Sequence, residues 1–379
     1  MIAKSLGIVS VGASIAVLLA INACSPATEE VVGPAPPGET EFSEAAAIDA
    51  VVETAMAEHR IPGVAVAVVR QGEVLLSKGY GLADLEHQVR VTPETMFQSG
   101  SVGKMFTAAA AMVMVEEGRL DLDVPIKTYI PEAPAMWDAI TLRHLLSHTS
   151  GIPDYTTDEM DYTRDYPEDD LVRMAIELEL EFPAGEQWNY SNTGYVMLGI
   201  IIGRVAEQPY WELLRERVWD PGSVPTIRVN FATDIVPHRS SGYHLEDGEL
   251  TNQGWVAPSL NSTADGSLLL SLQDMIAWNE VVRNRAVLSP QSWDAMLTPI
   301  LLNSGEPYPY GFGWGVTEVG GHPVHEHGGG WQGFRTQYTR IVDDDIAIVV
   351  LTNASHAEPG EIAEAIAGVL DPTYANDAG

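Results

Sequence analysis

The sequence predicts an α+β fold, an α/β sandwich in which hairpins from the two ends of the chain share one antiparallel sheet flanked by helices. Three observations carry this expectation. Near the start of the folded body, strand-like runs at 64–70 and 73–80 flank Gln71-Gly72, a dipeptide suited to a two-residue hairpin turn. Near the other end, 336–342 and 346–352 are again strand-like, with Asp343-Asp344-Asp345 as the turn. Between the hairpins lie many helical stretches broken by Pro and Gly, so roughly 120–300 reads as a mostly helical insertion.

At the N-terminal end, Lys4 precedes an uncharged, apolar or small stretch at 6–23 that leads to Cys24, the only cysteine in the chain. Ile21-Asn22-Ala23-Cys24 resembles the bacterial lipoprotein signal, in which the cysteine is lipidated and becomes the mature N-terminus. An uncleaved membrane anchor and an ordinary cleaved secretory peptide are the alternatives, and all three export the body to the periplasm or cell surface. The expected organisation is a signal at 1–24, a Pro/Gly/Glu-rich tether at 25–40 and a folded body at 41–375. Within that body a helix at 45–58 ends at Ile61-Pro62-Gly63, and a last helix runs over 359–370. A body without cysteine needs no disulfide and carries no thiol nucleophile.

Of 379 residues, 45% are hydrophobic and 19% charged, enough to bury a large core as one large domain or two intimate ones. The charge is lopsided: 53 acidic against 20 basic residues give a net −33. Such a surface repels nucleic acid and anionic lipid, which leaves the N-terminal anchor as the only expected membrane contact.

The strongest chemical signal is Gly100-Ser101-Val102-Gly103-Lys104, followed by an apolar run at 105–115. A helix apolar on nearly every face is a buried helix. Ser101 then lies at its first turn, where free backbone N–H groups favour developing negative charge. Lys104, three residues on, projects from the same face. Burial disfavours its ammonium, so a fraction can be neutral and accept the serine proton. Ser-x-x-Lys alone is weak evidence, since a helix-capping serine beside a snorkelling lysine gives the same spacing.

Two further segments look like parts of one site. Tyr190-Ser191-Asn192 follows a turn at Pro183-Ala184-Gly185-Glu186 and precedes an apolar helix. The tyrosine suits proton relay and the asparagine amide suits holding a substrate carbonyl; a helix-capping turn is the structural alternative. His325-Glu326-His327-Gly328-Gly329-Gly330-Trp331 places two histidines on one strand face beside glycines that leave the backbone open to a ligand. His-x-His invites a metal, but only His322 lies near as an extra ligand, and neither metal nor cofactor is expected. A Ser-His-Asp triad is the rival within the class. No Gly-x-Ser-x-Gly elbow occurs, and His148-Thr149-Ser150-Gly151 reads as a structural loop.

Together these segments resemble the serine β-lactamase-related superfamily of class C β-lactamases, D-Ala-D-Ala carboxypeptidases and their esterase relatives. The likeness covers most of 61–355. It includes Phe97 to Lys104, Gly118 to Asp123, Thr141 to Gly151, Tyr190-Ser191-Asn192, Tyr310-Gly311-Phe312-Gly313-Trp314 and the His327 segment, in the family's order. The resemblance implies a β-lactamase/transpeptidase-like fold and an acyl-enzyme on Ser101. Lys104 and Tyr190 would handle the proton, and the N–H groups of Ser101 and Gly330 would hold the oxyanion. Asn192 would hold the acyl side of the substrate, and a water activated near Tyr190 would release the product. His327-Gly328-Gly329 stands where class C enzymes have Lys-Thr-Gly, so a permanent cation and a hydroxyl are both missing. That departure favours an ester or a small amide over a carboxylated β-lactam; the expected partner is a small ester or amide or a peptidoglycan-like peptide. A tethered penicillin-binding or sensing protein, acylated without turnover, is the alternative function. The segments 154–173 and 237–262 are expected to set specificity.

Overall fold

The computed structural model describes residues 42–157 and 160–374, all within the unit Glu41–Gly379. Cys24 and the expected signal and tether lie outside the described residues. A seven-stranded antiparallel sheet forms from both ends of the body. Its strands are β1 (Gly63–Arg70), β2 (Glu73–Asp84), β3 (Val89–Arg90), β4 (Gly315–Val319), β5 (His322–Trp331), β6 (Phe334–Ile341) and β7 (Ile346–Thr352). Their order is β4-β5-β6-β7-β1-β2-β3, so the two ends of the body meet at the β7–β1 pair, in register from Val64↔Thr352 to Arg70↔Ile346.

The first hairpin turns at Gln71 (φ 53°) and Gly72 (φ 81°). Both central residues are left-handed, the requirement of the tight turn whose twist matches the strands. β1 and β7 are buried along almost their whole length, because helices cover both faces. Val64, Val66 and Val68 face one layer with Ile48 and Val52 of α1 (Ala45–His59) and Ile362 and Ile366 of a C-terminal helix, Pro359–Leu370. Ala65, Ala67 and Val69 face the other layer, built on α2 (Gly103–Glu116) and α3 (Asn192–Ala206). The period of two along one strand thus feeds two cores.

The middle of the chain is helical only in part. Three small sheets lie there among the described residues, one pairing Phe97–Gln98 and Arg228–Val229 with Leu268–Leu270. Strands this short carry no readable alternation, which is why periodicity passes over them. The same pairing sets the residues just before Ser101 beside the segment around Asp265.

Candidate active site

Ser101 sits on a 3₁₀ turn, Gly100–Val102, that runs directly into α2. The first twelve residues of α2 are buried, as its uniform apolarity predicts. Two glycines allow strand β5 to press against this turn. Gly100 has φ +50°, and a Cβ there would fall 2.4 Å from the Gly330 nitrogen. A Cβ on Gly329 would fall 2.1 Å from the Ser99 carbonyl oxygen and 3.0 Å from the Ser101 nitrogen. Side chains at either point would force the strand away from the serine.

Lys104 is fully buried. Its Nζ donates to Ser101 Oγ at 3.1 Å, to Asn192 Oδ1 at 2.6 Å and to the Asp265 carbonyl at 2.6 Å. It also lies 4.9 Å from the Tyr190 ring centre and 5.3 Å from that of Tyr195. Burial brings the lysine pKa down to about 8, against the opposing pull of the Asp265 and Asp154 charges. A substantial fraction is therefore neutral near pH 8.

Tyr190 is enclosed, and burial pushes its phenol far up; Ser101 pulls the other way. Its hydroxyl makes no well-formed hydrogen bond among the described residues. A neutral phenol beside the serine can receive and return a proton but does not ionise by itself. Asn192 opens α3 after the Ser191 cap, and its amide is fixed at both ends. Its oxygen faces the Lys104 amine, and its nitrogen donates to Asp154 Oδ2 at 2.9 Å. The structure therefore brings Ser101, Lys104, Tyr190 and Asn192 together.

His327 and Gly329 join them on β5, with Gly330 bordering the same cavity as Ser101. Protein groups occupy both ring nitrogens of His327. Its Nε2 is 2.9 Å from the Tyr310 hydroxyl and its Nδ1 is 2.6 Å from the Gly328 carbonyl. Burial and the nearby Lys104 hold its pKa down at about 4, so it is neutral at pH 7. His148, read from sequence as part of a structural loop, contacts Tyr310 through Nε2 at 3.2 Å and packs at a tilt against Tyr190 with ring centres 4.1 Å apart. Ser101 takes its hydrogen bond from Lys104, an arrangement unlike a triad.

A cavity of about 450 Å³ opens in front of Ser101, lined by Asn192, Asp265, Gly330, Trp331 and Tyr162 among others. Tyr190 and His327 do not line it. No local signal in the sequence marks Asp265, and Asp154 and Tyr155 stand in it only as members of the expected specificity segment 154–173. Tyr155 donates to Asp265 Oδ2 at 2.9 Å. The local signal for Asp154 is its place three residues after Gly151, the end of the His148–Gly151 motif.

The profile of the Beta-lactamase family matches residues 48–371, and the chain belongs to that family. It is 28% identical over 320 residues to Penicillin-binding protein 4* of Bacillus subtilis (strain 168), covering 79% of this chain and 70% of that one. It is likewise 28% identical over 341 residues to the D-aminopeptidase of Gluconobacter oxydans (strain 621H), covering 88% and 63%. The chain thus spans about two thirds of the length of these curated relatives. Among solved structures, the octameric penicillin-binding protein homologue from Pyrococcus abyssi superposes with a TM-score of 0.77 at 28% identity, covering 87% of this chain and 78% of that one. A D-stereospecific amidohydrolase from Streptomyces sp. gives 0.73 at 25% identity, covering 84% and 97%. Family and fold together make this chain a serine hydrolase.

Proposed function

We propose that the protein hydrolyses small amides or esters, D-amino-acid amides and peptides above all, through an acyl-enzyme on Ser101, with weak or no turnover of β-lactams. The observation that carries this reading is the Lys104 amine, buried and 3.1 Å from Ser101 Oγ. In its neutral form it spends its two N–H groups on Asn192 and the Asp265 carbonyl and turns its lone pair to the serine hydroxyl. The Ser101 proton passes to Nζ as Oγ bonds the substrate carbonyl carbon, and the same three contacts then hold the ammonium. Tyr190 relays that proton to the leaving nitrogen or oxygen, and the C–N or C–O bond breaks. Water adds to the acyl-enzyme by the same relay, releases the acid and restores the Ser101 proton. Backbone N–H groups of Ser101 and Gly330 are assigned to the oxyanion, each worth on the order of 10²–10³ in rate.

Asn192 lines the cavity in front of Ser101, which supports its holding the acyl part of the substrate. The names of the Gluconobacter and Streptomyces relatives support D-configured amides as substrates. The neutral His327 supports weak β-lactam anchoring. Short p-nitrophenyl esters, D-amino-acid amides and nitrocefin, assayed with Ser101→Ala as control, test the reading. Turnover of the first two should vanish in the variant; equal rates in variant and wild type would sink it. The penicillin-binding name of the Bacillus relative favours a second reading, slow acylation without turnover. A serine adduct that persists in intact-mass time courses, with negligible product, would establish that reading instead. For the N-terminal segment we propose export and lipidation at Cys24. Cys24→Ser should release the protein from the membrane fraction, and retention there would exclude the lipid anchor.

A further inference from the structure

Behind Tyr190 a chain of hydrogen bonds joins the loop at His148 to strand β5, and backbone groups at its two ends fix its direction. At one end the Ser191 N–H, which can only donate, meets His148 Nδ1 at 3.1 Å. That nitrogen is therefore an acceptor, and the neutral ring carries its proton on Nε2. At the other end the Gly328 carbonyl, which can only accept, meets His327 Nδ1 at 2.6 Å, so that nitrogen bears a proton. Tyr310 closes the chain. Its oxygen accepts from His148 Nε2 at 3.2 Å, and its single proton goes to His327 Nε2 at 2.9 Å.

We propose that Ser191, His148, Tyr310, His327 and Gly328 form a positioning relay with one proton order, His148 protonated on Nε2 and His327 on Nδ1, which leaves His327 no donor for an anionic substrate group. Every proton in the chain is committed. A second proton on His327 would turn Nε2 into a donor toward a Tyr310 oxygen that already accepts from His148, and would force the Tyr310 proton away from His327 toward the Tyr195 hydroxyl. The groups around the chain act in the same sense. Lys104 on α2 opposes a positive charge on either histidine. The Tyr190 ring packs at a tilt on His148, and Tyr195 on α3 gives its own proton to the Leu146 carbonyl at 2.8 Å while its oxygen faces the Tyr310 hydroxyl. His148 itself is held at φ +59°, which an unbranched ring of this kind tolerates only in a well-determined setting. The consequence for specificity rests on the acyl-transfer reading above: the His327–Tyr310 side offers a leaving-group carboxylate no charged donor, and the cation left to meet one is Arg335, which lines the cavity in front of Ser101.

The proton order itself is testable without turnover. Long-range ¹⁵N–¹H spectra of histidine-labelled protein, assigned with Tyr310→Phe and His148→Gln, report the tautomer of each ring. We expect the two rings to be opposite tautomers, Nε2–H for His148 and Nδ1–H for His327, unchanged from about pH 5 to about pH 9, a range spanning the ordinary histidine pKa. Identical tautomers, or a His327 that titrates near the ordinary value, would overturn the relay. Tyr310→Phe removes the hydroxyl proton held on His327 Nε2 and should move the His327 titration upward, against the burial and the Lys104 charge that remain. His148→Gln keeps a donor toward Tyr310 and should preserve the His327 tautomer. In turnover, the wild-type preference for D-alanine amide over D-alanyl-D-alanine should narrow about tenfold at acid pH in Tyr310→Phe, the size of one well-placed charged hydrogen bond. Opposite tautomers with an unchanged preference would overturn the specificity role. Opposite tautomers in a protein that turns over neither substrate would instead tell against the acyl-transfer reading.

Discussion

At the residue scale the site turns on the charge state of one amine. Lys104 must be neutral to take the Ser101 proton, so kcat/KM should climb with pH and level off above about 8. Asp265 bears on this limb. Its carbonyl holds Nζ, and its carboxylate favours the ammonium. One carboxylate oxygen accepts from Tyr155 and the other is buried without a partner among the described residues. Asp265→Asn removes the charge while an amide oxygen still serves Tyr155. The sign follows directly: with less negative charge nearby the ammonium is less favoured, the lysine pKa falls, and the rising limb moves to lower pH. A pH–rate profile on one ester checks it, and a limb that stays put or moves up would refute it. Gly329→Ala is the steric counterpart. Its Cβ would meet the Ser99 carbonyl at 2.1 Å and the Thr336 hydroxyl at 2.4 Å, so β5 must shift from the serine turn. A hundredfold or greater fall in kcat/KM, on the order of one lost oxyanion donor, is expected. Gly118→Ala meets no atom within 4 Å, but φ +68° strains it. It should lower stability by about 1 kcal/mol and leave kcat/KM alone.

At the element scale, the contacts that make the site are contacts between elements. A Cβ on Gly199, in α3, would fall 2.3 Å from that of Ala264, the residue before Asp265. Gly199→Ala should therefore cost about 1–3 kcal/mol of stability, a usual overpacking cost. It should also lower kcat by displacing the carbonyl that holds Lys104, and denaturant melts alongside initial rates separate the two effects. A variant as stable and fast as wild type would mean that the 264–266 segment is freer than its packing implies. The same distinction between local and long-range contacts governs what the sequence made readable. The Gln71-Gly72 turn, the paired end hairpins and α2 rest on neighbours within a few residues, where period and turn chemistry are visible. Ser101 and Lys104 share one helical turn, so their meeting was legible as well. Lys104 to Asn192 spans 88 residues and Lys104 to Asp265 spans 161. Periodicity cannot register such pairs; the chemistry of Tyr190-Ser191-Asn192 suggests Asn192, and the ordered motifs of the resemblance join it to Ser101 and Lys104. His148 and Tyr310 stood inside quoted motifs, yet their pairing across 162 residues had no local signature. The Tyr310 hydroxyl and the Gly328 carbonyl likewise occupy both nitrogens of His327 without any local signal in the sequence for the Tyr310 contact.

At the scale of the whole molecule the dominant fact is charge. Basic residues are few, and many are already paired at the surface, as in Arg143 with Asp123 at 2.7 Å, Arg204 with Glu132 at 2.6 Å and Arg285 with Asp294 at 2.6 Å. Each such exposed pair contributes little, about 0–1 kcal/mol. The excess of carboxylates, net −33, remains to repel itself across the surface. Added salt weakens both effects, but the repulsion involves many more pairs and acts over longer distances, so its loss should prevail. The thermal midpoint is therefore expected to rise as KCl is taken from about 0.02 M to about 1 M. The rise should be steepest at the low end and flatten as the Debye length shrinks to about 3 Å. Each kcal/mol gained corresponds to roughly 2 °C or less at this size. The buried site should respond differently, because Lys104 and its partners are shielded from mobile ions. The midpoint should move with salt while the pH of half-maximal kcat/KM stays nearly fixed. Calorimetry and pH–rate profiles at matched KCl concentrations test both halves. A midpoint that falls with KCl would show that the surface ion pairs outweigh the repulsion, and a rate limb that moves with it would show that the Lys104 pocket is open to the bulk field.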